Sequence, residues 1–447
     1  MVKNKSFLKL KAYNKKDGTA KGGRTSSEKN IVSVLDIGSS KICCFIAEVK
    51  SHGTIEVIGI GHHAARGIKS GTVVDLKAAE LSVAHAVEDA ETMAKEYLGS
   101  EPIKSVFVNV SGVNTTSHQT SVDIKVAGHS VTDRDVRAAL SHSRTLIQPG
   151  KDELVHVIPA EYILDKTRGI QEPRGMVGDN LSVNITAITG SASSLCHISA
   201  IVLQNQLELD GFCSSAYASG LSTLTEDEMQ LGCTVIDMGG GTTSIGVFYG
   251  GKLIYTAAVP LGGSNVTNDI ARGLTTSISD AERIKTLYGS AHSTATDDSA
   301  MIDVPPIGED VHSQPNYVPR SLLTGIIQPR IEEIFELVSA KLIDSGINYA
   351  IGRRVVLTGG ASQLPGLSDV AKVILDKQVR LGKPQKIAGL ADATAGPAFA
   401  TASGILIYAA ERANEIPEDD GVGFLSFSSH INDRFLRKVM LWLKDNW

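Results

Sequence analysis

The sequence predicts an α/β protein of two related halves that face each other across a shared cleft. Three stretches lead to that reading. Residues 235–248 are VIDMGGGTTSIGVF, residues 31–49 are IVSVLDIGSSKICCFIAEV, and residues 355–375 are VVLTGGASQLPGLSDVAKVIL. The first two share one order: a run of β-formers, an aspartate (Asp237 or Asp36), a small-residue turn, and a second β-rich run. A repeat of this kind points to duplication of a whole domain core, and two such halves can close on one ligand.

The bulk composition fits this scale. A chain of 447 residues makes about two to four domains of ordinary size. With 42% hydrophobic and 21% charged residues it reads as globular. A net charge of −6 argues against a general nucleic-acid binder. The five cysteines, at 43, 44, 196, 213 and 233, form no Cys-x-x-Cys pair, which suits a reducing compartment and offers no zinc site. Cys43 and Cys44 lie in an apolar run and read as small core residues. No apolar run reaches the roughly 18 residues of a membrane-spanning helix.

Residues 1–29 carry nine Lys or Arg against two acids and have no apolar h-region. They read as a disordered basic arm, not a secretory signal. In the first hairpin Asp36 precedes Gly38, Ser39 and Ser40; in the second Asp237 precedes Gly239, Gly240, Gly241, Thr242 and Thr243. Glycines here suit a loose turn, since they accept positive φ. They equally suit a phosphate cradle, because bare N–H groups can converge on an anion while the Thr hydroxyls add donors. Two aspartates facing across a cleft can hold Mg²⁺ through its waters. Neither hairpin is a Walker A loop, and neither is a dinucleotide fingerprint, because further strands rather than a helix follow the glycines.

The segment LGGSNVTNDIARGL (261–274) is a glycine turn entering a helix, which Ser264 or Asn265 can cap. In SDAERIKTLYG (279–289) Ser279 is a candidate N-cap, and Glu282 and Lys285 share a helix face, as a surface ion pair would. In the third stretch a buried strand runs into Gly359 and Gly360, followed by Ala361 and a helix. Leu364, Leu367, Val370, Val373 and Ile374 form that helix's expected apolar face. His62 and His63 are adjacent, so a strand would point them to opposite sides, away from a common metal.

The end of the chain has a different character. Residues 414–430, NEIPEDDGVGFLSFSSH, read as a tether. In INDRFLRKVMLWLKDNW (431–447), helical spacing puts Phe435, Leu436, Val439, Met440, Trp442 and Leu443 on one broad face. Arg437 and Lys438 fall among the basic residues opposite or at its edges. Such a stripe commonly packs on protein, but a terminal, tethered, basic and aromatic helix also fits an interfacial anchor on an anionic membrane surface.

Taken together, LDIGSS, IDMGGGTT, DAERIK and LTGGASQLPGL resemble the phosphate-1, phosphate-2 and adenosine motifs of the actin, Hsp70 and sugar-kinase superfamily. Within it the sequence is similar to the FtsA family of bacterial cell-division proteins. HVIPAEYILD (156–165) and PRGMVGDNLSV (173–183) add to that likeness, which covers roughly residues 30–412.

The resemblance implies an actin-like ATPase fold, two lobes with duplicated α/β cores around a nucleotide cleft, with an inserted subdomain 1C and a C-terminal amphipathic helix. Its implied boundaries are 30–112 and 180–219 for subdomain 1A, 113–179 for 1C, 220–262 and 350–413 for 2A, with a return to 1A at the end of the latter, and 263–349 for 2B. Residues 414–430 would be linker and 431–447 the membrane-targeting helix. Inside 1C, TSVDIKV and LVHVIPAEYIL read as strands and Asp133–Leu146 as a helix.

The resemblance also assigns roles. Asp36, Gly38, Ser39, Ser40, Asp237, Gly239, Gly240, Gly241, Thr242 and Thr243 would bind phosphates, with Asp36 and Asp237 holding Mg²⁺ through water. Glu282, Lys285, Gly359, Gly360 and Ala361 would border the adenosine of ATP. Arg330 would meet the C-terminal peptide of the tubulin-like protein FtsZ. Implied partners are FtsZ, further copies of the chain in filaments, other division proteins through 1C, and the cytoplasmic face of the inner membrane at the septum. Hydrolysis is implied to be slow at most, because GFCSSAYASGLSTL (211–224) holds no acid to orient water. A small-molecule kinase or phosphatase of the same superfold is the alternative.

Overall fold

The computed structural model describes residues 30–415, apart from 51–52, 100, 148–151, 296, 308–315, 348–349 and 386. The basic arm, most of the tether and the helix expected at 431–447 lie outside the described residues.

The first lobe opens with an antiparallel meander of β1 (Ile31–Ile37), β2 (Lys41–Val49) and β3 (Ile55–Ala64). A short hairpin of β4 (Ile68–Lys69) and β5 (Thr72–Val73) leads into α1 (Leu76–Leu98), and β6 (Ser105–Val110) returns parallel to β1. The insertion follows as β7 (Thr115–Lys125), α2 (Asp133–Leu146), β8 (Asp152–Leu164), β9 (Thr167–Ile170) and β10 (Asn180–Ser191). Then α3 (Ala192–Gln204) and β11 (Glu208–Ser214), parallel to β6, complete the first core. Helices α4 (Ser215–Thr223) and α5 (Glu226–Leu231) carry the chain across.

The second lobe repeats the plan. A meander of β12 (Cys233–Met238), β13 (Thr243–Tyr249) and β14 (Lys252–Val259) comes first. Its own insertion holds α6 (Gly263–Gly273), α7 (Ile278–Tyr288), the hairpin β15 (Met301–Val304) with β16 (Asn316–Pro319), and α8 (Arg320–Asp344). Strand β17 (Arg354–Thr358), helix α9 (Leu367–Leu375) and strand β18 (Gln378–Leu381) finish it, and helix α10 (Ala400–Glu415) returns to pack on the first lobe's sheet. The two sheets run β3-β2-β1-β6-β11 and β14-β13-β12-β17-β18, an identical order with the same strand directions. The duplication read from two hairpins therefore extends to both whole cores.

The burial pattern explains the sequence. Helices cover both faces of the first sheet, so β1 and β2 read as nearly continuous apolar runs. Alternation sends Cys44 into the core under α1 and Cys43 into the core under α10. Both are fully buried, as expected of small core residues. Helices α4 and α10 pack against each other where the lobes join. A Cβ on Gly404 would stand 1.7 Å from the Ala218 carbonyl oxygen, so this crossing requires glycine.

Several expectations need correction. Strand β10 pairs along its length with β7 and β8, so the insertion's sheet continues past residue 179 to Ser191. On α9, Leu367 and Val370 are buried, but Val373 is 82% exposed because Ala371 and Leu375 complete the inner face instead. The N-cap of α7 is Ser277, whose hydroxyl accepts the Asp280 N–H at 3.1 Å, rather than Ser279. Gly262 caps α6, and Asn265 returns its side-chain oxygen to the Gly262 N–H at 3.0 Å. Helix α2 spans the expected residues, with a Thr132/Asp135 capping box and Val136 and Leu140 inside.

The insertion touches both lobes. Its Ser117 and Gln119 side chains donate to the Thr256 and Ile254 carbonyl oxygens of β14 at 2.9 and 3.1 Å. These contacts cover an edge that would otherwise be open to strand pairing. On its other side, His156 of β8 is buried where the insertion meets α4 and α10. Its Nε2 accepts the Ser214 N–H at 2.9 Å, which leaves the proton on Nδ1, facing the Tyr408 hydroxyl at 3.4 Å. Tyr217 and Tyr408 pack edge-on against the ring.

Burial, with the Arg412 charge adding to it, pulls the His156 pKa from 6.5 down to about 3. The unfolded chain therefore binds a proton here between those values and the native chain does not, so stability falls as pH drops through that window. Urea unfolding at pH 7 and pH 5 should show a loss of roughly 2 kcal/mol from this group. His156→Gln, which keeps an acceptor for Ser214, should remove that part of the pH dependence.

Candidate functional site: a cleft between two equivalent hairpins

The turns of the two meanders are superimposable in their bonding. In the first, Ile37 pairs with Ile42 and the Gly38 N–H donates to the Lys41 carbonyl oxygen at 3.1 Å. In the second, Met238 pairs with Thr243 and the Gly239 N–H donates to the Thr242 carbonyl oxygen at 2.8 Å. Asp36 and Asp237 each sit one residue before the last pair of their ladder, so the duplication gives them equivalent stations.

The turns meet tip to tip. A Cβ on Gly240 would lie 2.7 Å from the Ser40 Cβ, and one on Gly241 would lie 2.8 Å from the Ser39 Oγ. These two glycines therefore admit the opposite hairpin, in addition to any room they leave for a ligand. The carbonyls of Gly239 and Gly240 accept the first N–H groups of α6, from Gly263 at 3.0 Å and Ser264 at 2.7 Å. Peptide planarity then directs the Gly240 and Gly241 N–H groups away from α6. Those N–H groups, and those of Ser39 and Ser40, find no acceptor among the described residues.

Beside the turns lies a cleft of about 520 Å³. Asp36, Gly38, Ser39, Ser40, Asp237, Gly239, Gly240, Thr242, Glu282, Lys285, Gly359, Gly360 and Ala361 all line it. Two expected residues do not. Thr243 is already in β13, and alternation turns its hydroxyl away to the Leu261 carbonyl oxygen at 2.9 Å. Gly241 is spent on the approach to Ser39.

The two carboxylates are the cleft's buried charges. Burial pushes the Asp36 carboxyl up to about 7; Lys41 opposes the shift and Asp237 adds to it. Burial also raises Asp237, against hydrogen bonds from Ser219 and Thr401 and the charge of Lys41. Burial in turn lowers the Lys41 ammonium, which lies 3.0 Å from the Phe399 ring centroid. Asp36 takes no side-chain hydrogen bond among the described residues. Two desolvated, incompletely compensated carboxylates on one cleft suit a hard, hydrated divalent cation.

The other end of the cleft is built by α6, α7 and the loop after β17. Lys285 Nζ donates to Glu282 Oε2 at 2.6 Å, Thr267 Oγ1 at 2.9 Å and the Gly263 carbonyl oxygen at 3.2 Å. The pair is thus a half-buried network in the cleft wall rather than an isolated surface ion pair. Gly359 has φ +86°, and a Cβ there would come within 2.3 Å of Asp237 Oδ1, so only glycine fits.

Sequence reading missed several lining residues. Lys41 directly follows the first turn, and that adjacency was the available signal. Asn109 on β6 comes in only through the fold: its Oδ1 accepts the Ile37 N–H at 2.7 Å and so fixes the start of the first turn. Ser215, Ser264 and Thr401 likewise arrive from distant segments. Arg330 lies elsewhere, on α8, where its guanidinium binds Asp269 of α6 at 2.5 and 3.1 Å and also pairs with Glu333. Among the described residues no cluster of three or more metal-ligating side chains occurs.

Comparison with known proteins places this architecture. The family described as "Cell division protein FtsA" matches residues 234–404, and "SHS2 domain inserted in FTSA" matches residues 112–189, the span of the inserted sheet. The cell division protein FtsA of Agrobacterium fabrum (strain C58 / ATCC 33970) is 41% identical over 434 residues, 95% of this chain and 96% of that protein. The FtsA of Rhizobium meliloti (strain 1021) is 42% identical over 94% of this chain and 96% of its own length. That of Escherichia coli (strain K12) is 32% identical over 94% and 97%. Among solved structures, a PilM-PilN type IV pilus biogenesis complex matches with TM-score 0.59 at 16% identity, over 86% of this chain and 99% of that one. An MreB 5 of Spiroplasma citri bound to AMPPNP matches with TM-score 0.50 at 13% identity, over 87% and 98%. These structures share the actin-like two-lobed fold. With that fold, the inserted domain in its place and relatives matched along nearly their whole length, the chain belongs to the FtsA family of cell division proteins.

Proposed function

We propose that this chain is an ATP-binding scaffold of cell division that polymerises on the cytoplasmic face of the inner membrane at the septum and tethers FtsZ filaments there. The observation that carries the ATP reading is the convergence of two equivalent hairpins, with unengaged N–H groups at Ser39, Ser40 and Gly240, on a cleft holding Asp36 and Asp237. Phosphates would lie against those amides and the Ser39, Ser40 and Thr242 hydroxyls, with Lys41 as counter-charge. Asp36 and Asp237 would hold Mg²⁺ through its waters, and the ion would neutralise phosphate charge. Glu282 and Lys285, with Gly359, Gly360 and Ala361, would border ribose and adenine.

The remaining parts follow from family membership. ATP acts chiefly as a conformational ligand that favours the closed, assembling state by differential affinity. Apart from Glu282 at the adenosine end, Asp36 and Asp237 are the carboxylates lining the cleft, which suits slow turnover at most. The helix at 431–447 would seat the chain on anionic lipid through Phe435, Leu436, Val439, Met440, Trp442 and Leu443. A single helix binds reversibly, and assembly multiplies the avidity. No described helix is long and apolar enough to cross a membrane. FtsZ's C-terminal peptide would dock near Arg330, where it must compete with Asp269 and Glu333, and other division proteins would use the inserted domain.

Isothermal titration should show Mg-ATP binding that Asp36→Ala and Asp237→Ala each weaken at least about tenfold without unfolding the protein. Wild-type affinity in both variants would remove the cleft assignment. Because ligand-free Asp36 is held near 7, Mg-ATP affinity should fall as pH drops below about 7, approaching roughly tenfold per unit. Deleting residues 433–447 should abolish flotation with anionic liposomes, and continued flotation would locate the anchor elsewhere.

A further inference from the structure

Two hydroxyls that no motif singled out grip the carboxylate of Asp237. Ser219 on α4 and Thr401 on α10 both donate to its Oδ2, the latter at 2.7 Å. Their oxygens are 3.0 Å apart, and each has one proton, so the carboxylate receives both. Both residues are buried. The helices that carry them cross at the joint between the lobes, where Ser222 Oγ donates to the Ala400 carbonyl oxygen at 2.7 Å and Gly404 lies on Ala218. With Oδ2 taken twice, Oδ1 is the oxygen left to the cleft, and the bare Cα of Gly359 passes beside it.

We propose that Ser219 and Thr401 are positioning residues for Mg-nucleotide: they fix Asp237 in one orientation and tie it to the α4–α10 crossing where the lobes join. This rests on the nucleotide reading of the cleft. A carboxylate that accepts two fixed donors keeps one rotamer. Whatever binds at Oδ1 therefore pulls on both inter-lobe helices at once.

The test is isothermal titration of the full chain with ATP, in Mg²⁺ and in EDTA, with thermal melts to confirm folding. Ser219→Ala and Thr401→Val should each weaken Mg-ATP binding about tenfold, while affinity in EDTA stays at the wild-type level. Thr401→Ser, which keeps the hydroxyl, should restore the Mg²⁺-dependent affinity. The inference is overturned if both variants bind Mg-ATP like the wild type, or if the loss is equal in EDTA, which marks a merely structural role. Asp237→Ala separates the two claims. If it too leaves Mg-ATP affinity unchanged, the nucleotide reading fails; if it weakens binding while the hydroxyl variants do not, only the positioning role fails. Should Ser219→Ala not fold, Thr401→Val against Thr401→Ser decides.

Discussion

Two carboxylates buried at equivalent positions, Asp36 and Asp237, are the constraint on which the rest of this structure turns. A charged group in a desolvated site is costly unless something compensates it. Compensation here comes from parts that the chain brings together: Lys41 near both, and Ser219 and Thr401 on Asp237. Each lobe supplies one acid, and the helices at the joint supply the donors. The chemistry of the cleft and the packing of the inter-lobe helices therefore share the same side chains.

Close approach is the second theme. Glycine stands where a neighbouring segment leaves no room for a Cβ: Gly240 and Gly241 against the serines of the opposite hairpin, Gly359 against the Asp237 carboxylate, and Gly404 against the α4 backbone. Any side chain at these points would separate the two hairpins or the two helices before it disturbed a ligand. The glycine-rich turn thus serves the tertiary contact and the proposed phosphate cradle together, since both need bare backbone.

The inserted domain joins this arrangement at both ends. Ser117, Gln119 and Thr186 cap carbonyls on the edge of the second lobe's sheet, while His156 is locked among Ser214, Tyr217 and Tyr408 at the inter-lobe helices. It is therefore braced against both lobes as well as anchored in the first.

The sequence by itself determined the parts whose signal is local. Both hairpins, the strand into Gly359, the helix from Asp133 and the two-fold plan are legible because β-rich runs, glycine turns and capping residues act over a few positions. The cleft-lining residues that lie in the motifs were legible for the same reason, apart from Gly241 and Thr243. Thr243 and Val373 face the wrong way because strand alternation and helix rotation are set by packing, which short motifs do not encode. Only the tertiary structure decided which distant side chains complete the site. Ser219, Thr401 and Asn109 sit in ordinary-looking apolar segments, and nothing near them in the chain marks them. They matter because folding carries them to within hydrogen-bond reach of groups far along the chain, 18 positions for Ser219, 72 for Asn109 and 164 for Thr401, and distance through space leaves no trace in local pattern.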